Sequence, residues 1–150
     1  MRDIGHWIFP LEFDPEQFVG FVYRIKDLDT QKEYIGKKVF KFVRRTKRVG
    51  KKNREIKIID SDWKTYCGSC KKLLTEISNR GEERFLFIIE SLHECKSTLE
   101  WSEIYKLVTE DILRATLPDG TKKYYNGMIN GIKYQIKDES EKEKQFKIQT

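Results

Sequence analysis

Gly20-Phe21-Val22-Tyr23-Arg24-Ile25 and Tyr34-Ile35-Gly36-Lys37-Lys38-Val39-Phe40 flank a short stretch, Lys26 to Glu33, that holds Asp27, Asp29 and Thr30. Both flanks are rich in β-branched and aromatic residues, which suit a pleated, half-buried surface. Asp and Thr favour turns because their side chains bond nearby backbone groups. With Phe18 to Ile25 as one strand and Tyr34 to Phe40 as the next, the segment is predicted to be a β-hairpin.

Beyond the hairpin the composition turns basic. Residues 37 to 57 carry eleven positive side chains against the single acid Glu55. Such a run gathers phosphate by displacing condensed counterions, and Lys37, Lys41, Arg44, Arg45, Lys47, Arg48, Lys51, Lys52 and Arg54 are its candidate nucleic-acid contacts. A solvated loop has the same composition, so charge alone leaves both readings open. Gly50, Asn53 and the lack of a helical stripe predict a long loop, with strand confined to Glu55 to Ile59.

Ser69 is placed to cap a helix whose Leu73, Leu74 and Ile77 recur at helical spacing, and Asn79, Arg80 and Gly81 supply its stop. A strand is expected over Phe85 to Glu90. Ser97 and Glu100 have the spacing of a capping box, and Trp101, Ile104, Tyr105, Val108 and Ile112 share one face of the helix that follows. Pro118, Asp119 and Gly120 break that element. Tyr124 to Tyr134 is expected to hold a short strand or helix, residues 138 to 150 are a polar tail, and the first residues are a polar start. Hairpin, loop, helix, strand, helix predicts an α+β fold with a small antiparallel sheet flanked by helices, in one domain over residues 1 to 150.

The chain has 150 residues, of which 38% are apolar and 36% charged, and it carries a net charge of +6. That balance excludes a disordered chain. No apolar run reaches the roughly 18 to 20 residues that span a bilayer, and the amino terminus lacks a signal-peptide pattern, so the cytoplasm is the expected compartment. Three cysteines do not make a disulfide framework. Cys67-x-x-Cys70 with His93 and Cys95 offers four soft donors for zinc, but the cysteines are expected to be reduced and to hold no structural zinc.

Tyr23 and Tyr34 stand eleven residues apart, within Gly20-Phe21-Val22-Tyr23 and Tyr34-Ile35-Gly36. This pair resembles the GIY-YIG nuclease signature. Asp62-Trp63-Lys64-Thr65-Tyr66-Cys67-Gly68-Ser69-Cys70 followed by Leu73 to Gly81 is similar to a block found in a phage-encoded, homing-endonuclease-like branch of that family. Leu99-Glu100-Trp101-Ser102-Glu103 and Tyr124-Tyr125-Asn126 then match, in order, the family's helical glutamate and late asparagine.

The resemblance implies a metal-dependent DNA endonuclease, with DNA as partner and no membrane. Phosphodiester hydrolysis needs a deprotonated water, neutralisation of charge growing on the phosphate, and help for the leaving oxygen. A hard cation, Mg²⁺ or Mn²⁺, keeps several waters and needs as little as one protein carboxylate. By resemblance Glu103 is that ligand, with Glu100 as rival; Tyr23 activates or aligns the water, Tyr34 supports it, and Asn126 orients the site. Lys37 and Lys38 are expected to favour the Tyr23 phenolate, which needs nearby positive charge.

One departure stands out. Many family members carry an arginine four residues before an aromatic residue on the first helix, and the position four before Tyr66 is Asp62. Lys64 is the expected substitute cation and Tyr66 the aromatic partner. The gap keeps a second reading alive, a catalytically degenerate DNA-binding module on the same fold.

Overall fold

The computed structural model describes residues 2–47, 49–50 and 54–129. Its central sheet has four strands: β1 (Trp7–Ile8), β2 (Gly20–Asp27), β3 (Glu33–Val39) and β6 (Phe85–His93). They lie in the order β1-β6-β2-β3, antiparallel except where β1 runs parallel to β6. β2 and β3 form the expected hairpin, with Tyr23 opposite Gly36 and Ile25 opposite Tyr34.

Alternation along β2 sends side chains to two separate cores. Phe21, Tyr23 and Ile25 face a mostly aromatic cluster with Trp7, Phe40, Trp63, Leu73, Ile77, Phe85 and Phe87. Val22 faces the other way and packs with Ile35, Leu99, Leu107, Ile112 and Tyr124. The first cluster is covered by α1 (Lys71–Arg80) and the second by α2 (Lys96–Thr109).

The sequence expectations fail in instructive places. The basic stretch is not a long loop: β4 (Lys41–Lys47) and β5 (Arg54–Asp60) pair as a separate two-stranded sheet. Val43, Ile56, Ile58 and Ile59 between the charges supply the strand preference that charge counting hides. Nor is the amino-terminal segment merely polar, since Trp7 and Phe13 are buried and Phe9 packs against them.

Ser69 does not cap α1; Cys70 occupies that position without a side-chain cap bond. The capping box on α2 is also absent, because the helix starts before Ser97, with Cys95 at its N-cap, and places Ser97 inside it. The buried face of α2 is not the expected one. Trp101, Tyr105 and Val108 are exposed, while Leu99, Glu103 and Leu107, repeating every fourth residue, are buried. Residues 124 to 129 run without helix beside β3, with Tyr124 bridged to Glu33. The expected tail, 138 to 150, lies outside the described residues.

Candidate active site

Tyr23 is buried on the central strand, and its ring leans over the residue opposite, Gly36. A Cβ at position 36 would lie 2.6 Å from Tyr23 Cζ, so the tyrosine has this position only because no side chain competes for it. Gly36 sits on β3, the sheet edge, and the missing side chain leaves an opening there. The cleft it helps to form has a volume of about 220 Å³, and Tyr23, Tyr34, Tyr66, Glu103 and Asn126 all line it. Residues from both sides of the sheet thereby meet in one place.

Glu103 reaches this cleft from α2. It is 6% exposed, and one carboxylate oxygen, Oε1, is buried without a hydrogen-bond partner. Lys37 Nζ is 3.9 Å from that oxygen, attractive but beyond bonding distance, and 3.6 Å from Glu100. Burial raises the Glu103 pKa above the ordinary carboxylate range, against the pull of Lys37. Leaving a buried carboxylate oxygen unpaired costs about 1–3 kcal/mol or more. The donor set therefore fits a hard divalent cation: one anionic oxygen lacking a partner, beside a cleft with room for waters. Glu100, the rival ligand, is half exposed and pairs with Lys37.

The tyrosines form a cluster. Tyr23 lies 6.2 Å from Tyr34 and 6.1 Å, edge-on, from Tyr66, ring centre to ring centre. Burial holds the Tyr23 phenol well above its usual pKa, and Tyr34, Tyr66 and Glu103 add to the effect. The expectation that Lys37 and Lys38 favour the phenolate is thus not met, because each lysine already has a carboxylate. Lys38 Nζ sits 2.7 Å from Asp62 Oδ1 and 3.8 Å from the centre of the Tyr66 ring. Asp62, at the place of the missing arginine, anchors this buried lysine beside Tyr66.

Lys64 does not reach the cleft. Its Nζ lies 3.6 Å from Asp3, and the residue lines a separate groove of about 470 Å³ whose walls include Asp14, Glu16, Asp60 and Asp62. That groove is the larger of the two, but its carboxylates repel phosphate.

Sequence reasoning missed Gly68 and Ser69. Gly68 has φ +89°, a conformation that disfavours any side chain, and a Cβ there would lie 3.0 Å from the Tyr34 ring. Ser69 Oγ is 3.3 Å from the Tyr34 hydroxyl. A glycine beside a serine ahead of a helix is the available signal, but the same pair equally suits a helix cap.

Asn126 grips the backbone of β3. Its Oδ1 accepts from Ile35 N at 3.0 Å and its Nδ2 donates to Ile35 O at 2.7 Å, so both halves of the amide are satisfied on one residue. Behind the site, buried Asp27 accepts hydrogen bonds from Arg80, from the Tyr125 hydroxyl at 2.7 Å and from the Asp29 and Thr30 amides. Arg80 and the other donors hold its carboxyl far below the ordinary range in spite of burial. Arg24 ties Glu33, Glu90 and Glu110 together on the α2 side.

The basic residues divide. Lys37 stays at the cleft, and Lys41 pairs with Glu16 at 2.6 Å. Arg44 and Arg45 are exposed on β4, with Arg44 directly opposite Lys57. Lys47 and Arg54 also stand opposite each other in the ladder, but only their backbone is described; Arg48, Lys51 and Lys52 lie outside the described residues. Like charges facing across a strand pair destabilise it, and an anion between them removes the penalty.

Cys67, Cys70 and Cys95 are free thiols. Cys70 Sγ bonds the Tyr125 carbonyl at 3.6 Å and Cys95 sits at the start of α2, so the Cys67, Cys70, His93, Cys95 set is not among the metal-capable clusters of the described residues.

No curated protein and no solved structure matches the chain. The family model of the segE endonuclease GIY-YIG domain matches residues 7–129, a span that starts at β1 and runs past Asn126. With the paired tyrosines on one hairpin, the helical glutamate and the late asparagine gathered around a single cleft, the chain belongs to the GIY-YIG nuclease family.

Proposed function

We propose that this protein is a divalent-cation-dependent DNA endonuclease whose hydrolytic centre is the cleft between Tyr23, Tyr34, Tyr66 and Glu103. The observation that carries the reading is that Glu103 lines that cleft with a buried carboxylate, one oxygen of which has no hydrogen-bond partner among the described residues. A carboxylate kept in this state has a use for a cation and little structural reason to exist without one.

Glu103 would hold Mg²⁺ or Mn²⁺, with Lys37 beside it. A bound cation would supply neutralisation of phosphate charge and help for the leaving oxygen. The Tyr23 hydroxyl, kept protonated by burial, orients the attacking water by hydrogen bonding and does not withdraw its proton in this state. Tyr34 is steadied through Ser69 and adds a second hydroxyl to the same space. Lys37 is the cation that lines the cleft, and Lys38, paired with Asp62 over the Tyr66 ring, positions that ring. Asn126 is a positioning residue: it fixes the Ile35 backbone between Tyr34 and Gly36. The β4–β5 arm, through Arg44 and Arg45, is the DNA-gripping surface.

Incubation with supercoiled plasmid tests this. Relaxation or linearisation is expected with Mg²⁺ and not with chelator. Glu103→Gln, which keeps shape and removes charge, should lower cleavage by about 100-fold or more at unchanged DNA affinity. Wild-type cleavage by that variant would sink the assignment. The aspartate at position 62 favours the second reading, a binding module that does not cut, which requires wild-type protein to bind the plasmid and leave it intact with either cation.

A further inference from the structure

Three segments distant in sequence meet beside the backbone of the Tyr66 loop. His6 precedes β1, Cys67 follows Tyr66, and Glu82 opens the short 3-10 turn after α1. Their donor atoms lie within 4.8 Å of one another. His6 Nδ1 is 3.6 Å from Glu82 Oε2, and Cys67 Sγ is 3.8 Å from Glu82 Oε1. A tetrahedral ion with bonds of roughly 2.0 to 2.3 Å separates its ligand atoms by about 3.3 to 3.8 Å.

The protonation pattern at His6 is set by its surroundings. Nε2 lies 3.0 Å from the Tyr66 carbonyl, which can only accept, so Nε2 carries the hydrogen. With the hydrogen on Nε2, the neutral ring presents its lone pair at Nδ1, on the side of Glu82 and Cys67. That nitrogen is buried, has no hydrogen-bond partner among the described residues and faces a carboxylate, which is also only an acceptor when ionised. Two acceptors confronting each other beside a thiol make a binding site for a positive ion. A histidine that donates its far N–H to a carbonyl is also the usual arrangement of a metal ligand. The ring cannot easily turn away, because it stacks on Phe87 with centres 3.8 Å apart.

We propose that His6, Cys67 and Glu82 bind a borderline-soft divalent cation, with Zn²⁺ the best match to this nitrogen, sulfur and oxygen set, at a site separate from the Glu103 centre. Binding sends the Cys67 thiol proton to solvent, and thiolate plus carboxylate then neutralise the ion. Glu82 is half exposed, so water can complete a fourth position. The ion ties the amino-terminal segment and the 3-10 turn to the loop that carries Tyr66 and Ser69 into the cleft. The expectation that Cys67 holds no metal is revised accordingly, with partners other than Cys70, His93 and Cys95. This site does not depend on the nuclease reading.

Co²⁺ titration of metal-free, reduced full-length protein provides the test. A thiolate-to-cobalt charge-transfer band saturating at one equivalent is expected, abolished by Zn²⁺ competition, and Zn²⁺ should raise the melting temperature. Cys67→Ser should lose the band, and Glu82→Gln should weaken Co²⁺ binding by more than about 100-fold, beyond what changes outside the ligand shell cost. Cys70→Ser, Cys95→Ser and Glu103→Gln should keep the band. Circular dichroism verifies folding of each variant; should Cys67→Ser not fold, the exposed Glu82→Gln substitution decides alone. No band at excess Co²⁺, or a band that survives Cys67→Ser or an unchanged affinity in Glu82→Gln, overturns the proposal.

Discussion

Two hairpins of similar residue preference have opposite fates in this protein. In β2–β3, Phe21, Val22, Tyr23, Ile25 and Ile35 are each at most 1% exposed, because both sheet faces are covered. In β4–β5, Val43, Ile56 and Ile58 are exposed by 60% or more. The first hairpin owes its stability to two cores; the second has its own ladder and little else. Most side chains in β2–β3 are therefore committed to holding shape, with Tyr23, Tyr34 and Lys37 turned to the cleft, while those of β4–β5 are available to a partner. A residue's value to the molecule follows from which hairpin carries it, more than from its type.

The sharpest test of that contrast is Asp27, at the end of β2. Asp27→Ala takes one acceptor from Arg80, which keeps Asp29 and Glu76, and removes the acceptor of the Tyr125 hydroxyl, and should cost about 2–4 kcal/mol in denaturant unfolding. Its acid dependence has a definite sign. The folded carboxyl titrates below its unfolded value of about 4, so its stabilisation is complete above that pH and is lost as pH falls through the depressed folded value. Asp27→Asn should remove that part of the acid sensitivity, visible as a flatter stability curve below about pH 4.

Next in size is Gly36→Ala. Its Cβ would press into the Tyr23 ring, so a loss of about 1–3 kcal/mol is expected, with a cleavage defect that outlasts correction for the folded fraction. An active, fully stable Gly36→Ala protein would mean that Tyr23 needs no such opening. On the arm the expectation reverses. Arg44→Ala with Arg45→Ala should change stability by no more than about 0.5 kcal/mol, yet lower the logarithmic salt slope of DNA binding by about 0.9 for each phosphate left without its cation. An unchanged slope in a salt titration would move the DNA interface off the arm.

What is legible in the sequence follows from the range of the forces involved. The β2–β3 hairpin and the positions of Tyr23 and Tyr34 can be read because strand preference and turn chemistry are local. Glu103 is recognisable by resemblance, and Leu99 and Leu107 one turn before and after it point to partial cover, yet Trp101, Tyr105 and Val108 make a stronger apolar stripe, and only packing shows which face the sheet covers. The Lys38–Asp62 pair is invisible because it joins β3 to a loop that no periodicity places. The arm eludes the sequence for a different reason. Its charges imitate a loop, whereas β-branched residues between them keep it extended.

The Asn126 clamp bears on when this fold is completed during synthesis. The strand it grips lies 91 residues earlier in the chain. During synthesis the tyrosine hairpin leaves the ribosome first, then the Tyr66 loop, then the helix with Glu103, and the amide that secures the edge strand arrives last. A nascent chain stalled or truncated before residue 126 thus has the hairpin, the Tyr66 loop and α2 without the amide that holds the Ile35 backbone. Position in the sequence acts as a delay: translation runs nearly the length of the family domain before the edge strand is secured.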